Sequence, residues 1–132
     1  MNKPNKQNFV FLHNHSRYSP LDGLITLKRW IEIARERNWE YLGLTDTGGV
    51  YGMIHFINLC QENKIKPIVG SFLQSDDYEF TCLSRGKNGL HSLYHLISYH
   101  HQRPSRKGMI TEIKKHQENI VILTDDHRIL GN

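Results

Sequence analysis

The sequence predicts an α/β fold with parallel strands, because short apolar strands alternate with amphipathic helices along its 132 residues. Three predicted strands, at residues 9–12, 41–44 and 67–73, are separated by two predicted helices, at residues 24–38 and 50–63. Strands joined through a helix in this way pair in parallel with right-handed crossovers, so the helices are expected to cover the faces of the sheet.

Each helix is predicted from apolar side chains that recur every three or four residues. In the first helix these are Leu24, Leu27, Ile31 and Ala34, in the second Met53, Ile57 and Cys60, and in a third Leu90, Leu93, Tyr94 and Ile97. A less regular helix is predicted at residues 109–116, and two further strands at residues 78–83 and 120–123.

The composition, 38% hydrophobic and 23% charged, is typical of a soluble globular protein. We expect a single domain over residues 1–132, with residues 1–8 as a flexible N-terminus. No apolar run is long enough to cross a bilayer and residues 1–8 lack an apolar signal core, so we predict a cytoplasmic protein without a membrane partner. The two cysteines lack paired metal or redox spacing and are expected to be buried, reduced thiols.

The formal charge of +4 and the pI of about 9.1 would suit a protein that works near nucleic acid. The one dense basic cluster, formed by Arg103, Arg106 and Lys107, is interpreted as a solvated loop. The net charge by itself therefore does not predict a nucleic-acid interface.

Polar side chains follow the first two predicted strands, where loops of a parallel sheet usually carry the functional groups. His13 and His15 are two residues apart in an extended segment, which places both imidazoles on one side. Asp22 adds a carboxylate before the first helix, and Asp46 and Thr47 follow the second strand. The sequence therefore predicts a metal site built on His13, His15 and Asp22.

Three ordered motifs carry a family resemblance. Residues 11–24, 44–52 and 65–72 resemble the successive motifs of PHP (polymerase and histidinol phosphatase) domains, and residues 86–90 resemble the branch that opens bacterial DNA polymerase III alpha subunits. The resemblance implies a distorted (β/α)7 TIM-like barrel. Such a barrel needs roughly 250 residues, so we expect the first part of one, either as a fragment of a polymerase or as a truncated reading frame.

The resemblance also implies a cluster of two or three metal ions, of which this sequence keeps only part of the ligand set. Thr47 stands where the family has histidine, and Phe72 where it has a bridging glutamate. Phenylalanine offers no lone pair, and a threonine hydroxyl is a poor zinc or manganese ligand. We therefore expect one weakly bound zinc or manganese ion at most, no catalytic residue, and an Asp46 that supports loop amides.

Two further groups could bind metal. Asp126 and His127 follow the last predicted strand, either as an ordinary strand end or as a late metal motif brought forward by a deletion. His91 and His95 lie four apart on the third helix without a glutamate between them in the pattern of metalloproteases, so they are interpreted as surface histidines.

The resemblance implies a non-catalytic module of a DNA-directed DNA polymerase, supporting replication or translesion synthesis beside the remaining polymerase or its replisome subunits. The alternative is a metal-dependent phosphoesterase or 3′-5′ proofreading exonuclease with fewer metal ions. A third reading is a free-standing interaction domain, which would form a homodimer to cover its open strand edges.

Overall fold

The computed structural model describes residues 26–130. Its elements in chain order are α1 (Leu27–Glu36), β1 (Tyr41–Thr47), α2 (Met53–Glu62), β2 (Lys66–Gln74), β3 (Glu79–Ser84), α3 (Gly89–His101), α4 (Arg106–Lys115), β4 (Ile120–Leu123) and α5 (His127–Leu130). The predicted flexible segment at 1–8, the predicted strand at 9–12, and the candidate ligands His13, His15 and Asp22 lie outside this part of the chain.

Every helix and strand predicted between residues 26 and 123 is present, with ends shifted by a few residues. β1 extends past its predicted end at residue 44 to Thr47. The short helix α5 was not predicted, because four residues are too few to display a helical period. No helix in the described range combines the length and apolarity needed to cross a membrane.

The strands form a four-stranded sheet in the order β1-β2-β3-β4. β1 and β2 are parallel, as predicted, but β3 is antiparallel to both β2 and β4, so the prediction of a wholly parallel sheet is wrong. Residues 75–78 alone connect β2 to β3, closed by a 2.9 Å hydrogen bond from the Ser75 N–H to the Tyr78 carbonyl. A parallel connection needs about a dozen residues or more, so this turn requires a hairpin. The described strands form an open sheet, and the expected barrel is not shown in residues 26–130.

The buried core lies where the helices cover the sheet. α1 contacts α2 and β1, α2 contacts β1 and β2, and α3 contacts β2 and β3. The largest fully buried side chains are Tyr78, Phe56, Phe80, Leu42, Leu73, Leu93, Leu96 and Met109. Cys60 and Cys82 are free and buried, as expected, and burial raises the pKa of each thiol to about 12.

Replacing Phe56 tests whether this core supplies the stability of the fold. Phe56 is 1% exposed on α2, so Phe56→Ala should lower the free energy of unfolding by about 3–5 kcal/mol. Ile54 on the same helix is 71% exposed, and Ile54→Ala should change it by less than about 0.5 kcal/mol. Urea unfolding followed by circular dichroism measures both, and equal effects would show that α2 does not pack as described.

Candidate functional site

Three strands finish at the same end of the sheet, which we call the carboxyl end. β1 and β2 run in parallel, and β4 points the same way because both β2 and β4 are antiparallel to β3. One row of paired residues crosses the sheet here, in the order Thr47, Phe72, Thr81 and Leu123. The two positions that depart from the PHP pattern, Thr47 and Phe72, are therefore direct neighbours.

Asp46, at the carboxyl end of β1, is fully buried. Its Oδ2 accepts a 3.3 Å hydrogen bond from the N–H of Gly52, the residue that caps the N-terminus of α2. The Ser71 hydroxyl on β2 donates to the Asp46 carbonyl at 2.9 Å. Asp46 thus holds the loop between β1 and α2, which is the supporting role predicted for it.

His101 fastens the same loop from the last turn of α3. Gly48 has a φ of 68°, a left-handed conformation that favours glycine, and its N–H donates to the Phe72 carbonyl at 2.8 Å. The Gly48 carbonyl lies 2.7 Å from Nε2 of His101. Because a carbonyl oxygen can only accept, Nε2 must carry the proton in this contact.

Phe72 lines a cavity of about 280 Å³ at the carboxyl end. Phe80 and Leu123 contribute further apolar wall, while Glu79 and Asp125 contribute carboxylates. The aromatic ring offers no electron pair for a cation at the position where the family resemblance places a bridging glutamate.

Asp126 is held by an arginine. Its Oδ1 accepts from the backbone N–H of Arg128 at 3.0 Å and from Nε at 2.9 Å, and its Oδ2 accepts from Nη2 at 3.0 Å. These hydrogen bonds keep the pKa of the Asp126 carboxyl below its usual range. A cation at Asp126 would have to share the carboxylate with Arg128 or displace the guanidinium. His127 is exposed at the start of α5, and its metal binding stays a prediction.

His100 contacts the core beneath the carboxyl end. Its Nδ1 lies 2.8 Å from the hydroxyl of Tyr78, whose side chain is fully buried. Burial lowers the pKa of the His100 imidazole, and the neighbouring His101 lowers it further. His100 and His101 therefore both have structural partners.

Within residues 26–130, one group of three potential metal ligands has its ligand atoms within 4.8 Å of one another: His95, Glu112 and His116. It lies between α3 and α4 rather than at the carboxyl end. His95 is exposed, as predicted, but its partners across the helix pair were not predicted. The spacing of four between Glu112 and His116 was the available signal.

This fold defines a class of protein: an α/β module in which polar groups on loops lie together at the carboxyl ends of the strands. The family model described as "PHP domain" matches residues 12–132, so the chain belongs to the PHP domain family and the resemblance of its motifs is confirmed.

Relatives at the sequence level are DNA polymerase III alpha subunits. The chain is 43% identical over 65 residues to the DNA polymerase III subunit alpha of Treponema pallidum, covering 49% of this chain and 6% of that protein. It is 32% identical over 115 residues to the same subunit of Buchnera aphidicola subsp. Schizaphis graminum, covering 82% and 10%. The Staphylococcus aureus subunit is 26% identical over 127 residues, covering 90% and 12%. The chain thus spans a small part of each relative.

A solved structure shares the fold. A protein from Bifidobacterium adolescentis, assigned as a metal-dependent phosphoesterase, superposes with a TM-score of 0.51 at 16% identity. The match covers 68% of this chain and 32% of that one. At this identity the likeness supports the fold alone and does not extend to activity.

The burial of His100 predicts that acid destabilises the fold. Since its pKa is lower in the folded state, the unfolded chain takes up more protons, so stability is full above the unfolded-state pKa of about 6.5 and declines as the pH falls below it. His100→Gln should reduce this decline between pH 7.5 and 5.5 in urea titrations. His55→Gln, at an exposed position on α2, is the matched control. An unchanged decline in His100→Gln would contradict the assignment.

Proposed function

We propose that this chain is a PHP module of a DNA polymerase III alpha subunit-like protein that supports the polymerase structurally and is catalytically inactive by itself. The observation that supports this proposal is that Phe72 lines the cavity at the carboxyl end, at a position where the family pattern has a glutamate. The process supported would be DNA replication or translesion synthesis.

An apolar ring at this position opposes a metal cluster for two physical reasons. A carboxylate that bridges two cations lowers their mutual repulsion, and phenylalanine supplies neither charge nor lone pairs. The ring also displaces water and polar groups that would otherwise solvate the ions. Binding of two or more divalent ions beside Phe72 is therefore disfavoured.

Thr47 adds to the same effect. Residues paired across neighbouring strands point to the same face of a sheet, and Thr47 is paired with Phe72. Both replacements therefore alter one site rather than two. A threonine hydroxyl binds zinc or manganese less well than the imidazole that the family pattern has there.

The partner that this proposal requires is the rest of the polymerase, or a replisome subunit bound to it. Support comes from the relatives, which are polymerase subunits of which the chain spans 12% or less. DNA would be contacted indirectly, and the site of action would be the cytoplasm. If the chain acts alone, a homodimer would cover the open strand edges.

A second candidate function is a metal-dependent phosphoesterase or 3′-5′ proofreading exonuclease with a reduced metal count. The observation in its favour is the first motif, which retains His13, His15 and Asp22. These three residues would hold a single zinc or manganese ion, whose chemistry would be activation of a water molecule.

Restoring the family residues tests the proposal directly. The double variant Thr47→His with Phe72→Glu should bind manganese at least about 10-fold more tightly than the unmodified chain, because it regains an imidazole and a bridging carboxylate. The unmodified chain should show no manganese-dependent hydrolysis of a phosphodiester. Isothermal titration calorimetry and a chromogenic phosphodiester assay measure the two properties.

Two controls separate the candidate functions. Thr47→His combined with Phe72→Gln, which matches glutamate in size and shape but is uncharged, should not reproduce the full gain in affinity. Hydrolysis by the unmodified chain that disappears in both His13→Ala and His15→Ala would overturn the inactive module and establish the phosphoesterase.

A further inference from the structure

We propose that His95, Glu112 and His116 form a zinc-binding site that joins α3 to α4. One ligand atom from each residue lies within 4.8 Å of the other two. The site is separate from the metal site of the PHP motifs.

The distances suit a single ion after small adjustments. His95 Nε2 lies 3.2 Å from Glu112 Oε2, and the ring centroids of His95 and His116 are 4.7 Å apart. A tetrahedral zinc ion with bonds of about 2.0–2.2 Å holds its ligand atoms roughly 3.5 Å from one another. The separations in the structure are therefore close to those that a bound ion requires.

The helix pair positions the three ligands. Glu112 and His116 are four residues apart, at the end of α4, and therefore lie on one face of that helix. His95 meets them from α3, which packs against α4. Zinc binding by these three residues therefore requires that α3 and α4 remain packed against each other.

Neighbouring groups orient two of the ligands. The hydroxyl of Ser92, a buried residue of α3, lies 2.9 Å from Nδ1 of His116 and leaves the other ring nitrogen for a cation. Lys115 Nζ binds Glu112 Oε1 at 2.9 Å, while Oε2 faces His95. Such contacts around metal ligands fix ring and carboxylate orientation and raise affinity.

Two imidazoles and one carboxylate select zinc over magnesium or calcium, which prefer oxygen ligands. The ligands also differ in exposure, with the Glu112 side chain 14% exposed and the His95 side chain 50% exposed. An ion can therefore enter from the His95 side, and the remaining coordination position would face water.

The position of the site makes it independent of the carboxyl end. His116 follows α4 and precedes β4, which begins at Ile120, so the site lies near the amino end of β4. Thr47 and Phe72 lie at the opposite end of the strands. Zinc bound here would link the two helices that precede β4 and stabilise them against unfolding.

Zinc titration of the full chain tests the proposal. We expect one zinc ion per chain by calorimetry, no binding of magnesium, and visible absorption typical of four-coordinate cobalt when Co²⁺ replaces zinc. His95→Ala and His116→Ala should each weaken zinc binding at least about 100-fold, because each removes a direct ligand. Circular dichroism checks that both variants remain folded. Glu112→Gln, which keeps the side-chain shape but removes the charge, should also weaken zinc binding.

Two variants locate the bound ion. His55→Ala, at an exposed histidine on α2, should leave zinc affinity unchanged. Zinc binding that survives His95→Ala, His116→Ala and Glu112→Gln but is lost in His13→Ala would place the ion in the first motif and overturn the proposal. Absence of one-to-one zinc binding at millimolar concentration would also overturn it and leave His95 and Glu112 as an ordinary ion pair.

Discussion

Parallel pairing of β1 with β2 is the constraint on which the candidate site depends. It places Thr47 opposite Phe72 and Asp46 opposite Ser71, so that the loop after β1 can bond to β2. The hairpin from β2 to β3 then reverses the chain, and the return through α3 and α4 brings β4 into line with the first two strands. Groups from distant parts of the chain meet at the carboxyl end for this reason.

Three ionisable groups at the carboxyl end form hydrogen bonds with neighbouring parts of the chain. Asp46 accepts from the amide of Gly52, His101 contacts the carbonyl of Gly48, and Asp126 is paired with Arg128. The hydrogen bonds that these groups make stabilise the loops at the carboxyl end. This arrangement agrees with the structural role proposed for the module.

The carboxyl end and the contact between α3 and α4 differ in the ligands that they offer to a metal ion. At the carboxyl end, Thr47 and Phe72 on adjacent strands offer neither the imidazole nor the carboxylate that the family resemblance implies. Between α3 and α4, three ligand types suited to zinc are brought within reach by helix packing. The proposed zinc site shares no residue with the carboxyl end, so the residues at Thr47 and Phe72 do not affect zinc binding between α3 and α4.

The sequence by itself determined the family, the helices and strands between residues 26 and 123, and the two departures from the ligand pattern. Hydrophobic periodicity and contiguous motifs are local properties, so they can be recognised without the fold. The antiparallel pairing of β3 also follows from a local signal, the four-residue connection at residues 75–78, whereas only the tertiary structure decided the meeting of His95 with Glu112 and His116. His95 lies 17 positions before Glu112 and 21 before His116, and no single hydrophobic period reveals a contact across such a separation.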